Sequence, residues 1–244
     1  MLTYNSDLKI FYSTLVNDNH FFSGFGTRDL GDGRNLRNIF QFLHQNKIDY
    51  KKLVVLEQIH SVNVASFNEE GEGNLIKIEE TDGVITNKKK TVLLVRTADC
   101  LPIIFVEKSA GLIGISHQGW RGSFKKMVIR IVEKMVQAGA EGKRILVAIG
   151  PGIGSCCYNI DADRYYQFLE EFDGYANKIF TVRKGKRYLN LMLFNYLLLK
   201  EAGIKEKNID FFPFCTCCDK KRFFSFRRDK KKDYGEMFSF VIMY

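Results

Sequence analysis

Short apolar runs separated by polar breaks fill most of the chain, and two periods divide them into strands and helices. Residues 53–56, 101–106, 112–116, 144–149, 209–214 and 238–244 are apolar stretches of strand length, and Val62, Val64 and Phe67 add an alternating one. Ser109, Ala110 and Gly111 make a turn between 101–106 and 112–116, which are therefore predicted to pair as an antiparallel hairpin. A second hairpin is predicted over 82–95, with 87–90 as its polar turn, and Phe223, Phe224 and Phe226 are read as a further strand ending at Arg227 and Arg228. The 3.6-residue period runs through Leu36, Ile39, Phe40 and Leu43; through Phe124, Met127, Val128, Ile131, Val132, Met135 and Val136; through Tyr165, Phe168 and Leu169; and through Leu191, Phe194, Leu197 and Leu198. Ser123, Asp161 and Asn190 are the expected N-caps of the last three helices, with Gly139 and Gly203 as stops.

No repeat, low-complexity segment or long linker divides the pattern, so a single domain over residues 1–244 is expected, with ample material for a core at 45% hydrophobic residues. No apolar run approaches the roughly 20 residues of a membrane span, and the opening residues lack the order of a signal peptide. A cytoplasmic protein without a membrane partner is the expectation. The six cysteines are crowded into three places rather than spread as a disulfide framework, which fits thiols or metal ligands in a reducing compartment. The net charge of +9 suits an anionic ligand, but runs such as 88–90 and 230–232 read as solvated loop tips rather than one stripe. A basic nucleic-acid-binding module is thus the weaker reading.

The hairpin carries the candidate chemistry. Cys100 stands where its first strand begins and His117 where its second ends, at the same edge of the sheet. His60 interrupts two strands further upstream and joins the set because its position is equivalent. Two imidazoles and a thiolate suffice for a catalytic zinc, which takes three protein ligands and keeps one position open. The same residues allow a cysteine nucleophile deprotonated by His117, or a type-1 copper. Four histidines in all are too few for a type-1 site and a trinuclear copper cluster together, and His20 and His44 read as ordinary surface residues. After His117, residues 119–122 read as a tight turn into the N-terminus of a helix, which favours negative charge. The glycine loop at 150–155 matches neither dinucleotide nor P-loop spacing and is read as a backbone turn. Cys215 and Cys218 form one Cys-x-x-Cys without a second such pair. Buried free thiols are the preferred reading there, over a structural zinc completed by Cys156 or Cys157.

Three motifs resemble the laccase-domain family, also called multicopper polyphenol oxidase or YfiH-like: Gln58-Ile59-His60, the run from Thr97 through Cys100 to Pro102, and the run from His117 to Gly122. Gly150-Pro151 with Ile153, Cys157-Tyr158, Cys215-Thr216 and the run from Phe223 to Arg228 extend the resemblance over nearly the whole chain from Gly24. The family is regarded as purine nucleoside phosphorylases with adenosine deaminase activity. The resemblance implies an α/β (α+β) fold, a single domain of mixed β-sheets flanked by helices in a YfiH-like sandwich, with the expected assembly a monomer or small homo-oligomer. It implies that His60, Cys100 and His117 bind a catalytic Zn2+, with copper as the alternative, and that the substrates are phosphate and adenosine, guanosine, inosine or methylthioadenosine. Arg28 and Arg121 are then candidate phosphate or substrate contacts, and Phe25 a surface on which the base stacks. An editing cysteine hydrolase acting on peptidoglycan precursors and a polyphenol oxidase (laccase) remain as alternative activities. The chain departs from the family pattern at Gly26, at Gln118 and in a shortened loop over residues 29–34.

Overall fold

Strands whose residues are buried on both faces organise the molecule. In the computed structural model, which describes residues 2–68, 73–229 and 234–244, the strands Leu101–Glu107, Leu112–Gln118 and Met237–Met243 are buried at every position. Among the described residues, one seven-stranded mixed sheet runs in the order Leu2–Asn5, Ile10–Ser13, Phe21–Gly26, Met237–Met243, Thr91–Thr97, Lys52–Leu56, Leu75–Ile78. A six-stranded mixed sheet runs Ile209–Phe211, Leu146–Ile149, Leu101–Glu107, Leu112–Gln118, Gly83–Thr86, Val64–Ser66. A small three-stranded sheet is formed by Asn159–Ile160, Lys186–Leu189 and Phe180–Arg183.

The two large sheets face each other across one core that takes Phe25, Leu93, Val95 and Val241 from the first sheet and Val84, Ile104, Val106 and Ile115 from the second. Helix Leu36–Gln45 covers the outer face of the seven-stranded sheet through Ile39, Phe42 and Leu43. Helices Met127–Gln137 and Leu191–Glu201 cover the outer face of the other through Val128, Ile131, Met135, Phe194 and Leu198. The result is a helix–sheet–sheet–helix sandwich. Each sheet has one face on the shared core and one under helices, which is why so many strands read as continuous apolar runs rather than alternations.

The predicted hairpin over 101–118 forms, with His117 opposite Pro102 and Gln118 opposite Leu101. Asp161 and Asn190 cap their helices, accepting from the backbone N–H of Arg164 and Leu193. Gly139 and Gly203 stand just past helix ends with φ of 103° and 84°, the left-handed region open to glycine. Three expectations need correction. Residues 82–95 are not a hairpin: Gly83–Thr86 belongs to the six-stranded sheet and Thr91–Thr97 to the other, so the turn at 87–90 carries the chain between layers. Ser123 is not an N-cap. The chain makes a five-residue helix, Trp120–Phe124, then breaks at Lys126 with φ 58° before Met127–Gln137 begins; the Ser123 hydroxyl is instead paired with the Asn195 side chain. Phe226 starts a short helical turn, Phe226–Asp229, and is exposed, while Phe223 packs in the core. The run at 230–232 lies outside the described residues. No helix among the described residues is long and apolar enough to cross a membrane.

Candidate metal centre and its cavity

The strand pairing that builds the six-stranded sheet also builds the site. The hairpin register sets Cys100 and His117 at one sheet end, and Gly83–Thr86 pairs on the other side of Leu112–Gln118 with Ser116 opposite Gly83. That pairing brings Asp82 to His117, whose backbone N–H donates to the Asp82 carbonyl at 2.8 Å. His60 arrives from the loop between Lys52–Leu56 and Val64–Ser66 in a left-handed conformation, φ 61°. Asp99, next to Cys100, is left-handed too, at φ 86°. Both are residue types that tolerate this region better than most.

The ligand atoms of His60, Cys100 and His117 lie within 4.8 Å of one another and could hold a metal ion. Cys100 Sγ is 3.9 Å from His60 Nε2, and the two imidazoles meet edge to face with centroids 4.8 Å apart. Gly119 lets this happen. A Cβ there would stand 2.9 Å from the His60 ring and 3.1 Å from Cys100 Sγ.

Asp82 is the residue that the sequence reading missed. Fully buried, its carboxylate lies 2.8 Å from His117 Nδ1 and accepts from the backbone N–H of Ile59, His60 and Ser61 and from the Ser61 hydroxyl. The bond holds a proton on Nδ1, so Nε2 is the nitrogen of His117 left to a metal once its own proton is displaced, the arrangement that orients a metal-ligating histidine. Burial opposes ionisation of Asp82, yet the bonds from His117 and Ser61 keep its carboxyl below the usual carboxylate range. Burial also works against the Cys100 thiolate, but the facing His117 and His60 bring the thiol down to about 7. For His117, burial is outweighed by the Cys100 thiolate and Asp82, which lift it to about 10. Without a metal the pair is therefore a thiolate beside an imidazolium between about pH 7 and about pH 10.

Above the three donors opens a cavity of about 540 Å³. Four arginines line it: Arg96, Arg121, Arg164 and Arg227. The guanidiniums of Arg164 and Arg121 lie 4.0 and 4.9 Å from the Trp120 ring centroid, so one indole positions both. Nη2 of Arg164 lies 3.4 Å from Asp161 Oδ2, while its buried Nε has no hydrogen-bond partner among the described residues. Tyr158, Phe226 and Tyr234 supply aromatic surface, with Phe226 and Tyr234 meeting edge to face at 5.1 Å. The buried Asp99 carboxylate braces the wall, accepting from Thr216 Oγ1 at 2.6 Å, Ser225 Oγ at 3.0 Å and the Arg227 N–H at 2.6 Å.

Of the predicted substrate contacts, Arg121 lines this cavity and Arg28 and Phe25 do not. Arg28 donates to the Lys220 carbonyl at 2.6 Å and lies over the Phe224 ring, tying two loops together. Phe25 is 1% exposed and packs between the sheets against Phe212, where no base can reach it. Position 25 faces the core between the two sheets. The helix after Gly119, Trp120–Phe124, is only five residues long, so it offers little of a helix dipole. Positive charge in the cavity comes from arginine side chains instead. Arg164 escaped the sequence reading because its helix looked like a packing element; its place one turn after the Asp161 cap is the available signal.

Two imidazoles and a thiol at the base of an arginine-lined cavity, on a two-sheet sandwich covered by helices, define a mixed α/β protein with a three-donor site able to hold a metal ion. Residues 14–244 match the family model described as multi-copper polyphenol oxidoreductase laccase, and the chain belongs to that family. It is 32% identical over 204 residues to a purine nucleoside phosphorylase of Rickettsia prowazekii, covering 82% of this chain and 81% of that one. It is 33% identical over 189 residues to an adenosine deaminase from an unknown prokaryotic organism, covering 74% and 71% of the two chains. Among solved structures, the hypothetical protein YfiH of Bacillus licheniformis superposes with a TM-score of 0.83 at 27% identity, over 92% of this chain and 93% of that one.

Proposed function

We propose that the protein is a zinc-dependent purine nucleoside phosphorylase that cleaves adenosine, guanosine, inosine or methylthioadenosine with phosphate and also deaminates adenosine. The observation that carries this reading is the His60–Cys100–His117 set beneath a cavity that combines four arginines with aromatic side chains, in a chain similar to a phosphorylase and a deaminase of these names. The donor set fits zinc: two imidazole nitrogens and one thiolate are a catalytic three-ligand composition, and Asp82 presents His117 in the tautomer that ligation needs. When bound, zinc supplies Lewis acidity and makes water acidic enough to serve as a nucleophile near neutral pH.

This chain's own residues supply the rest. Arg164, whose buried Nε has no partner among the described residues, and Arg121, on the same indole, hold the phosphate dianion. Phe226 and Tyr234 offer faces to the purine. An oxygen of the phosphate held by the two arginines forms its bond to the anomeric carbon as the glycosidic C–N bond breaks; the electron pair leaves with the base, which takes up a proton from water. A laccase reaction has weaker support. His44 lies on the outer helix and His20 precedes the strand Phe21–Gly26, so one chain gathers only two imidazoles at the site.

A second reading has one observation of its own. Cys100, His117 and Asp82 line up as nucleophile, base and orienting carboxylate, with the thiol lowered to about 7, as a cysteine hydrolase of peptidoglycan precursors requires. Metal content and nucleoside turnover, measured with and without phosphate and before and after chelation, separate the two. Phosphate-dependent adenine release and phosphate-independent inosine formation, both lost on chelation and restored by zinc, are the expected result. Turnover that survives complete metal removal moves the assignment to the thiolate mechanism. Salt-dependent binding of RNA without nucleoside turnover overturns both.

A further inference from the structure

A second group of donors gathers outside the site described above, on the loops that contain Gly154 and Thr216 and not among the residues that line the cavity. Cys156, Cys157, Cys215 and Cys218 bring their sulfurs within 4.8 Å of one another, with Cys218 Sγ 3.4 Å from Cys156 Sγ and 3.3 Å from Cys157 Sγ. These cysteines are free, as the sequence reading expects, but they are not buried: Cys156 and Cys218 are exposed and the other two only partly buried. The parallel bridge between Gly152 and Cys215, beside the parallel strands Leu146–Ile149 and Ile209–Phe211, joins the two loops, which are about sixty residues apart.

We propose that these four cysteines form a second, structural metal site that holds one zinc ion as a tetrathiolate. Four thiolates at about 2.3 Å from a zinc stand roughly 3.8 Å apart, and the observed separations bracket that figure. Cys218 approaches Cys156 and Cys157 alike, so the arrangement encloses a point instead of marking out one disulfide pair. An iron–sulfur cluster interposes several metal atoms and sulfides among its thiolates and needs wider spacing, so the site is mononuclear.

Two further features are those of a built site. The backbone N–H of Gly154 donates to Cys215 Sγ at 3.2 Å, the kind of outer hydrogen bond that stabilises a coordinated thiolate. Gly154 itself leaves room: a Cβ there would meet Cys156 Sγ at 3.2 Å and the Cys215 Cβ at 3.1 Å. Guanidiniums bound to the carbonyls of the ligand loops offset the two negative charges of a tetrathiolate zinc, Arg183 and Arg227 more than Arg228, which is also paired with Asp229 at 2.7 Å. Arg183 donates to Ser155 O at 2.6 Å, Arg227 to Asn159 O at 3.0 Å, and Arg228 to Thr216 O at 2.9 Å and Cys217 O at 3.2 Å.

The ion's work is structural. One ligand loop is flanked by Ile153 and Tyr158, which line the cavity, and the other contains Thr216, which holds Asp99 beside Cys100. Clamping the loops together fixes the parts of the cavity lining that they carry.

Zinc content and zinc-edge X-ray absorption of the full chain, purified without chelators, test the proposal through the metal itself, whatever the enzyme's activity. With both centres filled, about two zinc ions per chain with an average of about 2.5 sulfur ligands each are expected. With this site alone filled, about one zinc with about four sulfurs is expected, which also supports the proposal. The double variant Cys156→Ser/Cys218→Ser should lose one zinc per chain and keep the one that Cys100→Ala loses. A wild-type protein with at most about one zinc bearing about one sulfur, or a thiol count showing these cysteines oxidised in pairs, overturns it. The absorption measurement needs only the wild-type chain, so the decision stands even where the variant does not fold.

Discussion

Asp82 Oδ1 and His117 Nδ1 stand 2.8 Å apart, both buried, and the same carboxylate also collects the backbone N–H groups of residues 59–61. One side chain thus fixes the orientation of one donor and the loop that carries another. Replacing its charge touches the site twice.

Asp82→Asn keeps the shape but presents an amide where His117 needs an acceptor of full negative charge. Zinc affinity at the His60–Cys100–His117 centre should fall by about 10–100-fold. Global stability should drop by about 1–3 kcal/mol, as for a buried hydrogen-bond network left partly unsatisfied. Chelator competition and urea unfolding of the same sample read the two effects separately. Unchanged metal affinity would mean that Asp82 serves the loop alone.

Metal uptake at this centre should be linked to protons in a defined direction. In the metal-free protein His117 keeps its proton up to about pH 10 and Cys100 up to about pH 7. A metal must displace those protons, so affinity should rise with pH as far as about 10 and rise more steeply below about 7, where Cys100 also competes. Calorimetry in buffers of different ionisation enthalpy gives the count, with about one proton released from His117 and Cys100 together at pH 8.5 and more at pH 6. Release that does not depend on pH across this range contradicts the thiolate–imidazolium pair.

Arg164→Ala should raise KM for phosphate by about ten- to a hundredfold, the loss of a charge-assisted hydrogen bond, with a smaller effect on KM for the nucleoside. Arg28→Ala should leave both constants near wild type and lower stability by about 1 kcal/mol, because Arg28 binds a backbone carbonyl outside the cavity. Steady-state kinetics with each substrate varied in turn makes the comparison. The reverse pattern would relocate the phosphate to the Arg28 side.

Phe25→Ala opens a void between the sheets beside Phe212 and Gly150. A loss of about 3–5 kcal/mol is expected, with KM unchanged at temperatures where the variant is folded. A selective rise in nucleoside KM without loss of stability would restore Phe25 to the substrate site.

Much of this was legible in the linear order of residues. The turn at 109–111 and the two apolar runs around it determine a hairpin, and hairpin register alone carries Cys100 and His117 to one edge. Helix caps at Asp161 and Asn190 are equally local, since the capping bond spans three residues. The tertiary structure decided what local period cannot express. Gly83–Thr86 is buried at every position and Thr91–Thr97 at every position but Arg96, so no alternation reveals that they belong to different sheets. Asp82 becomes the partner of His117 only through strand pairing across 35 positions, and Arg164 reaches the cavity only because its helix packs beside Trp120. Cys156 and Cys157 meet Cys215 and Cys218 because a parallel bridge closes a loop of about sixty residues. Backbone hydrogen bonds within a turn or hairpin are set by neighbouring residues, whereas which sheet a strand joins, and which side chains then converge, is set by how the layers bury their apolar faces.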